Sequence, residues 1–180
     1  MRIARTIGCG LAGAAAVAIA VWRLGVTWSL PPFLLFAVVS AVLAAVDLAI
    51  HRLPNRIVLP ALAASVPALL VVALLDGVPA RWTGALIGSA ALFAFYLLLA
   101  LAAPGGLGMG DVKLAALVGL FAGYLGVTVW LLAAVAGFVL GGLVATAGIL
   151  ARRANRRTAI PFGPWMLAGF WIAVALAAPA

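Results

Sequence analysis

Residues 30–50 read LPPFLLFAVVSAVLAAVDLAI. Ser40 and Asp47 are the only strongly polar side chains in the run. At about 1.5 Å rise per residue such a helix reaches roughly 30 Å, the thickness of a bilayer's hydrocarbon core. Similar runs lie on both sides, at roughly 6–24, 57–75, 83–103, 112–127, 129–150 and 159–178. The stretch 112–150 is nearly continuous and is divided near Gly123-Tyr124-Leu125-Gly126, where two glycines permit a tight turn. Composition agrees. The chain of 180 residues is 68% hydrophobic and 8% charged, whereas soluble domains are just under half apolar and about a quarter charged. The expected fold is all-α, a polytopic transmembrane bundle of about seven helices forming one domain over 1–180.

Direction follows from Lys and Arg in short loops. With the N-terminus in the cytoplasm, Arg2, Arg5, Arg52, Arg56, Lys113, Arg152, Arg153, Arg156 and Arg157 are cytoplasmic, and only Arg23 and Arg81 lie outside. One span more or fewer scrambles this bias. The N-terminus also has the look of a signal peptide, with Ala18-Ile19-Ala20 as a cleavage site. Removal leaves six helices in the same direction. Retention is favoured, because the apolar run continues through Val21 and Trp22. The net charge of +8 is spread over span flanks and forms no basic face, so no nucleic-acid partner is expected; the partner implied is the lipid bilayer. The single cysteine, Cys9, excludes an internal disulfide or a CxxC site.

Three carboxylates occur, Asp47, Asp76 and Asp111, and no glutamate. Asp76, in Asp76-Gly77-Val78-Pro79, reads as a turn residue without function. Asp47 sits near the end of an apolar span, where a carboxylate costs up to about 2.5–3.5 kcal/mol and usually faces a wet cavity or the bundle interior. Asp111 opens the fifth span after Gly105-Gly106-Leu107-Gly108-Met109-Gly110. Taken singly, Asp111 suits a helix-start acid, and Asp47 suits an ion pair with Arg52. The topology sets both at the cytoplasmic ends of their helices, at similar depth, where two carboxylates can meet across a bundle.

Adjacent carboxylates cannot both ionise readily and share a proton. The ionised member can take a proton from water while the protonated member polarises a carbonyl, chemistry that needs no metal or cofactor. A multi-histidine zinc site is excluded by the lone histidine, His51. No GxSxG elbow is present.

Three segments then stand in order: Asp47-Leu48-Ala49-Ile50-His51-Arg52-Leu53-Pro54-Asn55, Gly108-Met109-Gly110-Asp111-Val112-Lys113-Leu114, and Pro161-Phe162-Gly163-Pro164. Together they resemble the signatures of type IV prepilin peptidases, membrane aspartyl proteases with a GxGD motif, with Leu53 standing where the family has Ile. The resemblance covers roughly 30–180. It implies a bacterial inner-membrane protease that cuts the basic leader of prepilins or pseudopilins at the cytoplasmic face, with Asp47 and Asp111 as the catalytic pair. Gly108, Gly110, Lys113, Pro54 and Asn55 are the implied site-shaping or substrate-binding residues. With one cysteine and no large soluble segment, a minimal form without a methyltransferase domain is expected.

Other readings of single residues stand beside these. Lys113 points about 160° from Asp111 around a helix and can contact substrate or headgroups or snorkel. Pro54 and Asn55 suit a plain turn. His51 lies one turn from Asp47 and suits either tuning or a surface position. Gly163 and Pro164 suit the start of the last helix. Rival functions are a proton-coupled transporter, disfavoured by the lack of an inverted repeat and by a site away from the midplane, and an accessory pilus or secretion subunit, which would be expected to have lost an aspartate. A presenilin-like protease pairs its GxGD with Tyr-Asp and a late PAL motif, whereas Val46 precedes Asp47 here.

Overall fold

The computed structural model describes residues 2–102, 107–150 and 161–177; the side chains of 2–7, 148 and 149 fall outside that description. Seven helices run in order: α1 (Arg2–Leu24), α2 (Leu30–Ile50), α3 (Asn55–Leu75), α4 (Ala80–Ala102), α5 (Met109–Leu125), α6 (Val127–Leu150) and α7 (Gly163–Leu176). No strand occurs among the described residues. Four segments are long and apolar enough to cross a membrane: α2, α3, α4 and residues Val127–Ala147 of α6. Gly8–Leu24 of α1, and α7, are apolar but shorter. The helix count therefore matches the expectation, while the last span, expected over 159–178, is a helix of 14 residues. Arg152, Arg153, Arg156 and Arg157, read as topological anchors, lie outside the described residues, as do Gly105 and Gly106. So do the side chains of Arg2 and Arg5.

Local chemistry sets the helix ends. Pro31 and Pro32 fall in the first turn of α2, where a missing N–H costs nothing. The helix stops at His51, which adopts φ 52°, ψ 38° and donates its N–H to the Asp47 carbonyl at 2.8 Å. Pro54, in extended backbone, precedes α3, and its ring keeps Leu53 before it out of the helical region. Between α5 and α6 the break falls at Gly126 alone, at φ +111°; Gly123, expected to share the turn, stays helical.

Gly123 instead serves packing. Lipid supplies no hydrophobic drive between helices, so membrane helices associate through close approach of small residues and interhelical hydrogen bonds. Gly84 and Gly88 of α4 face Gly119 and Gly123 of α5, and a Cβ added at Gly88 would meet the Gly119 carbonyl oxygen at 2.6 Å. Trp130 of α6 donates its indole N–H to the Gly88 carbonyl at 2.9 Å. As a result α5 is enclosed: every residue from Leu114 to Tyr124 is buried. Such a helix need not match the bilayer's thickness, because protein rather than lipid surrounds it. An aromatic cluster ties it to its neighbours. Phe36 of α2 stacks on Phe121 of α5 at 4.2 Å, and Phe36 meets Phe170 of α7 edge-on at 5.1 Å.

One end of the bundle is closed by polar contacts. Ser29 donates to the Asp76 carboxylate at 2.9 Å and lies 3.3 Å from the Tyr124 hydroxyl. Arg81 pairs with Asp76 at 3.7 Å, and Arg23 donates to the Ala177 carbonyl. Asp76 does end α3, as a turn residue would, but it also fastens the start of α2, the end of α3 and the start of α4. The up-and-down order brings the other end of α2, the start of α3 and the starts of α5 and α7 together at the opposite end.

Candidate active site

At that opposite end, Asp47 projects from the last turn of α2 and is 4% exposed. A buried carboxylate needs hydrogen-bond donors. Its Oδ2 accepts the backbone N–H of Gly163, 116 residues away, at 3.1 Å. That N–H belongs to the first turn of α7, where amides have no partner within the helix. The start of a helix is also its positive end, which favours a carboxylate. No side chain fits between them: a Cβ on Gly163 would stand 2.9 Å from Asp47 Oδ2, 3.3 Å from Leu53 Cδ1 and 3.4 Å from Leu114 Cδ2. An Asp47–Arg52 ion pair is not formed; the only ion pair among the described residues joins Arg81 and Asp76.

Asp111 is the third residue of α5, not a residue ahead of the helix, because the helix begins at Met109. Its Oδ2 accepts the Gly108 N–H at 3.2 Å, and the Gly108 carbonyl accepts the Asp111 N–H at 3.0 Å. This reciprocal cap fixes the carboxylate against the loop that precedes it. Asp47, in the last turn of α2, and Asp111, in the first turn of α5, stand at the same end of the bundle.

The residues flanking the pair interlock. Gly110 presses on the chain just after α2, and a Cβ there would meet Leu53 Cβ at 2.9 Å and Leu53 N and O at 3.4 Å. Leu53 therefore touches both the α5 start and, through its Cδ1, the α7 start. Lys113 turns to the side of α5 away from Asp111 and donates to Asn55 Oδ1 at 2.9 Å, so it acts as a tie between α5 and α3 and does not contact Asp111. The Pro54 carbonyl accepts the Ile57 and Val58 N–H groups at 3.0 and 3.2 Å, and its backbone starts α3. His51 is exposed, and its contribution to α2 is the backbone bond to Asp47.

The structure thus brings together Asp47, Asp111, Gly108, Gly110, Asn55 and Lys113, with Pro54 shaping the turn between them. Sequence reading missed Leu53 as the common contact and Gly163 as the amide donor to Asp47. The glycine after Phe162 was a faint signal for the second, since a required glycine beside a buried acid invites a close approach. No group of three or more His, Cys, Asp or Glu able to hold a metal occurs among the described residues.

Comparison with known proteins points to one family. The profile of the type IV leader peptidase family matches residues 34–146. A Bacillus subtilis prepilin leader peptidase/N-methyltransferase is 33% identical over 150 residues, 82% of this chain and 56% of the relative. A Stutzerimonas stutzeri protein of the same name is 33% identical over 158 residues (85% of this chain, 52% of the relative), and one from Pseudomonas aeruginosa 31% over 159 residues with the same coverage. The chain spans about half the length of these curated relatives. No solved structure gives a significant match.

Proposed function

The chain belongs to the type IV leader peptidase family, and on that premise we propose that it is a membrane aspartyl endopeptidase cutting the leader of prepilins or pseudopilins. The observation that carries the reading is the placement of two aspartates on different helices at one end of the bundle, one of them nearly fully buried and held by a backbone amide. The chemistry follows from that pairing. Two neighbouring carboxyls retain one proton between them. The ionised carboxylate takes a proton from water as the water oxygen adds to the scissile carbonyl carbon. The carbonyl's π pair moves onto its oxygen, which the protonated carboxyl stabilises. Collapse of the tetrahedral adduct expels the amine, which takes up a proton from the pair.

We put the N-terminus in the cytoplasm, a reading supported by the excess of Lys and Arg in the loops at the site end. The site then opens at the cytoplasmic face of the bacterial inner membrane, where a short basic leader would be found. Asp47 and Asp111 are the proposed catalytic pair. Gly108 and Gly110 shape the start of α5, which carries Asp111, while Pro54, Asn55 and Lys113 hold the start of α3 against α5. Only the peptidase half of the relatives' names is proposed for this chain. The test is leader cleavage of a co-expressed prepilin followed by gel shift. Wild type is expected to cleave, and Asp47→Asn and Asp111→Asn are expected to insert normally and not cleave. Retained cleavage by either variant sinks the catalytic pair.

A further inference from the structure

Two cavities adjoin at the end of the bundle away from the aspartates. One is an apolar groove of about 520 Å³. It runs along α4 past Ala80, Gly84, Ile87, Gly88 and Ala91, and the α5–α6 turn and Trp130 form its other wall. These α4 positions recur at three- and four-residue spacing and so make one stripe. From Ala80 to Ala91 the helix rises about 16 Å, half of the roughly 30 Å hydrocarbon core and therefore the depth of one leaflet. The second cavity, of about 360 Å³, is polar, with Arg23, Ser29, Asp76 and Arg81 in its walls. Val78, Arg81, Tyr124 and Leu125 line both. Arg81 pairs with Asp76 at 3.7 Å, and Arg23 donates to the Ala177 carbonyl. A guanidinium has five N–H groups, so both arginines keep donors to spare. Arg23 and Arg81 against Asp76 leave two positive charges to one negative, a net +1.

We propose that the two cavities together bind one anionic phospholipid, its phosphate between Arg23 and Arg81 and one acyl chain along the α4 groove. The proposal rests on the chain's place in a membrane and is independent of the leader-peptidase reading. A phospholipid has the layout the cavities have, a charged head at the end of the bundle and an apolar tail one leaflet deep. Arginine suits the head, because its planar fork matches phosphate oxygens and is weakly hydrated. A partner helix suits the groove less well. Membrane helices meet through close backbone approach and interhelical hydrogen bonds. Ile87 and Val127, 69% and 71% exposed, line this groove and hold a second backbone off, whereas a flexible chain passes between them. The Trp130 indole N–H is already spent on the Gly88 carbonyl. Because the tail gains little by leaving one apolar surroundings for another, selectivity resides in the head.

The experiment is native mass spectrometry of the full chain in mild detergent, titrated with phosphatidylglycerol or with phosphatidylcholine carrying the same acyl chains. Wild type should retain one phosphatidylglycerol about fivefold more tightly than phosphatidylcholine, the worth of one net charge beside a lipid head. Arg81→Gln removes that net charge and should bring the two lipids within twofold of each other. Ala91→Phe fills the groove from an exposed position and should weaken both lipids about threefold or more while leaving their ratio unchanged. This second variant keeps the test decisive should Arg81→Gln fail to fold. Equal retention of the two lipids by wild type overturns the proposal, as does a preference that survives Arg81→Gln. Retention by Ala91→Phe equal to wild type removes the groove from it. A dimer that Ala91→Phe disperses would show that a second copy of the chain covers the groove, and also overturns the proposal.

Discussion

Replacing Gly163 by alanine adds one carbon at the most crowded point of the site. That carbon would stand 2.9 Å from Asp47 Oδ2, about 0.5 Å inside the 3.4 Å at which ordinary contact begins. The two leucine contacts, at 3.3 and 3.4 Å, need almost no adjustment. The atom that must give way is thus the tip of a side chain, which rotates cheaply, and the fold should survive. The carboxylate does not come through unchanged. Its 3.1 Å bond to the Gly163 N–H is lengthened or bent, and a hydrogen bond to a charged group is worth about 1.5–3 kcal/mol. Catalytic groups tolerate about 0.5 Å of error, and a 1 Å displacement can cost about 100-fold. Gly163→Ala is therefore expected to lower kcat/KM for leader cleavage by about 10- to 100-fold. Its melting temperature in detergent should change by only a few degrees. Gly163→Val, with two further carbons, should lose both activity and stability. Cleavage by Gly163→Ala within twofold of wild type would refute the idea that this amide positions Asp47. Equal losses of activity and folded protein would show that the glycine serves the fold instead.

Gly119→Ala places a methyl against the Gly88 backbone, where neither side can yield, and should destabilise the bundle by about 1–3 kcal/mol or more in an SDS or urea titration. Trp130→Phe removes the bond to the Gly88 carbonyl together with part of the ring and should cost about 1–2 kcal/mol in the same titration. Lys113→Ala and Asn55→Ala should have effects that do not add, since each removes the same 2.9 Å bond; strict additivity in a double-mutant cycle would break the proposed tie. Cleavage should persist in excess chelator, because the proposed mechanism activates water with carboxyl groups; inhibition reversed by a divalent ion would point to another mechanism.

The spans were legible because hydropathy is a property of each residue, and a run such as 30–50 needs no partner to be recognised. Asp47 and Asp111 stood out for a related reason: an acid within an apolar run carries its cost on its face. What could not be read depends on residues far apart in the chain. Gly84, Gly88, Gly119 and Gly123 look alike in sequence, and only the opposed backbones reveal that they are contacts. Gly123 was assigned to a turn because glycine serves both purposes. The brevity of α7 was hidden by apolar residues on both sides of it. Leu53 seemed a mild departure within a motif, yet it is the side chain that touches two other helices.

The bond between Gly163 and Asp47 also has a consequence in time. A ribosome makes Asp47 116 residues before Gly163. While the chain is being threaded into the bilayer, the first four helices and the GxGD segment are in place before the amide that holds Asp47 exists. The proposed hydrolytic centre is completed only when the seventh helix docks. A chain made only as far as the sixth helix therefore carries both acids but lacks the amide that holds Asp47.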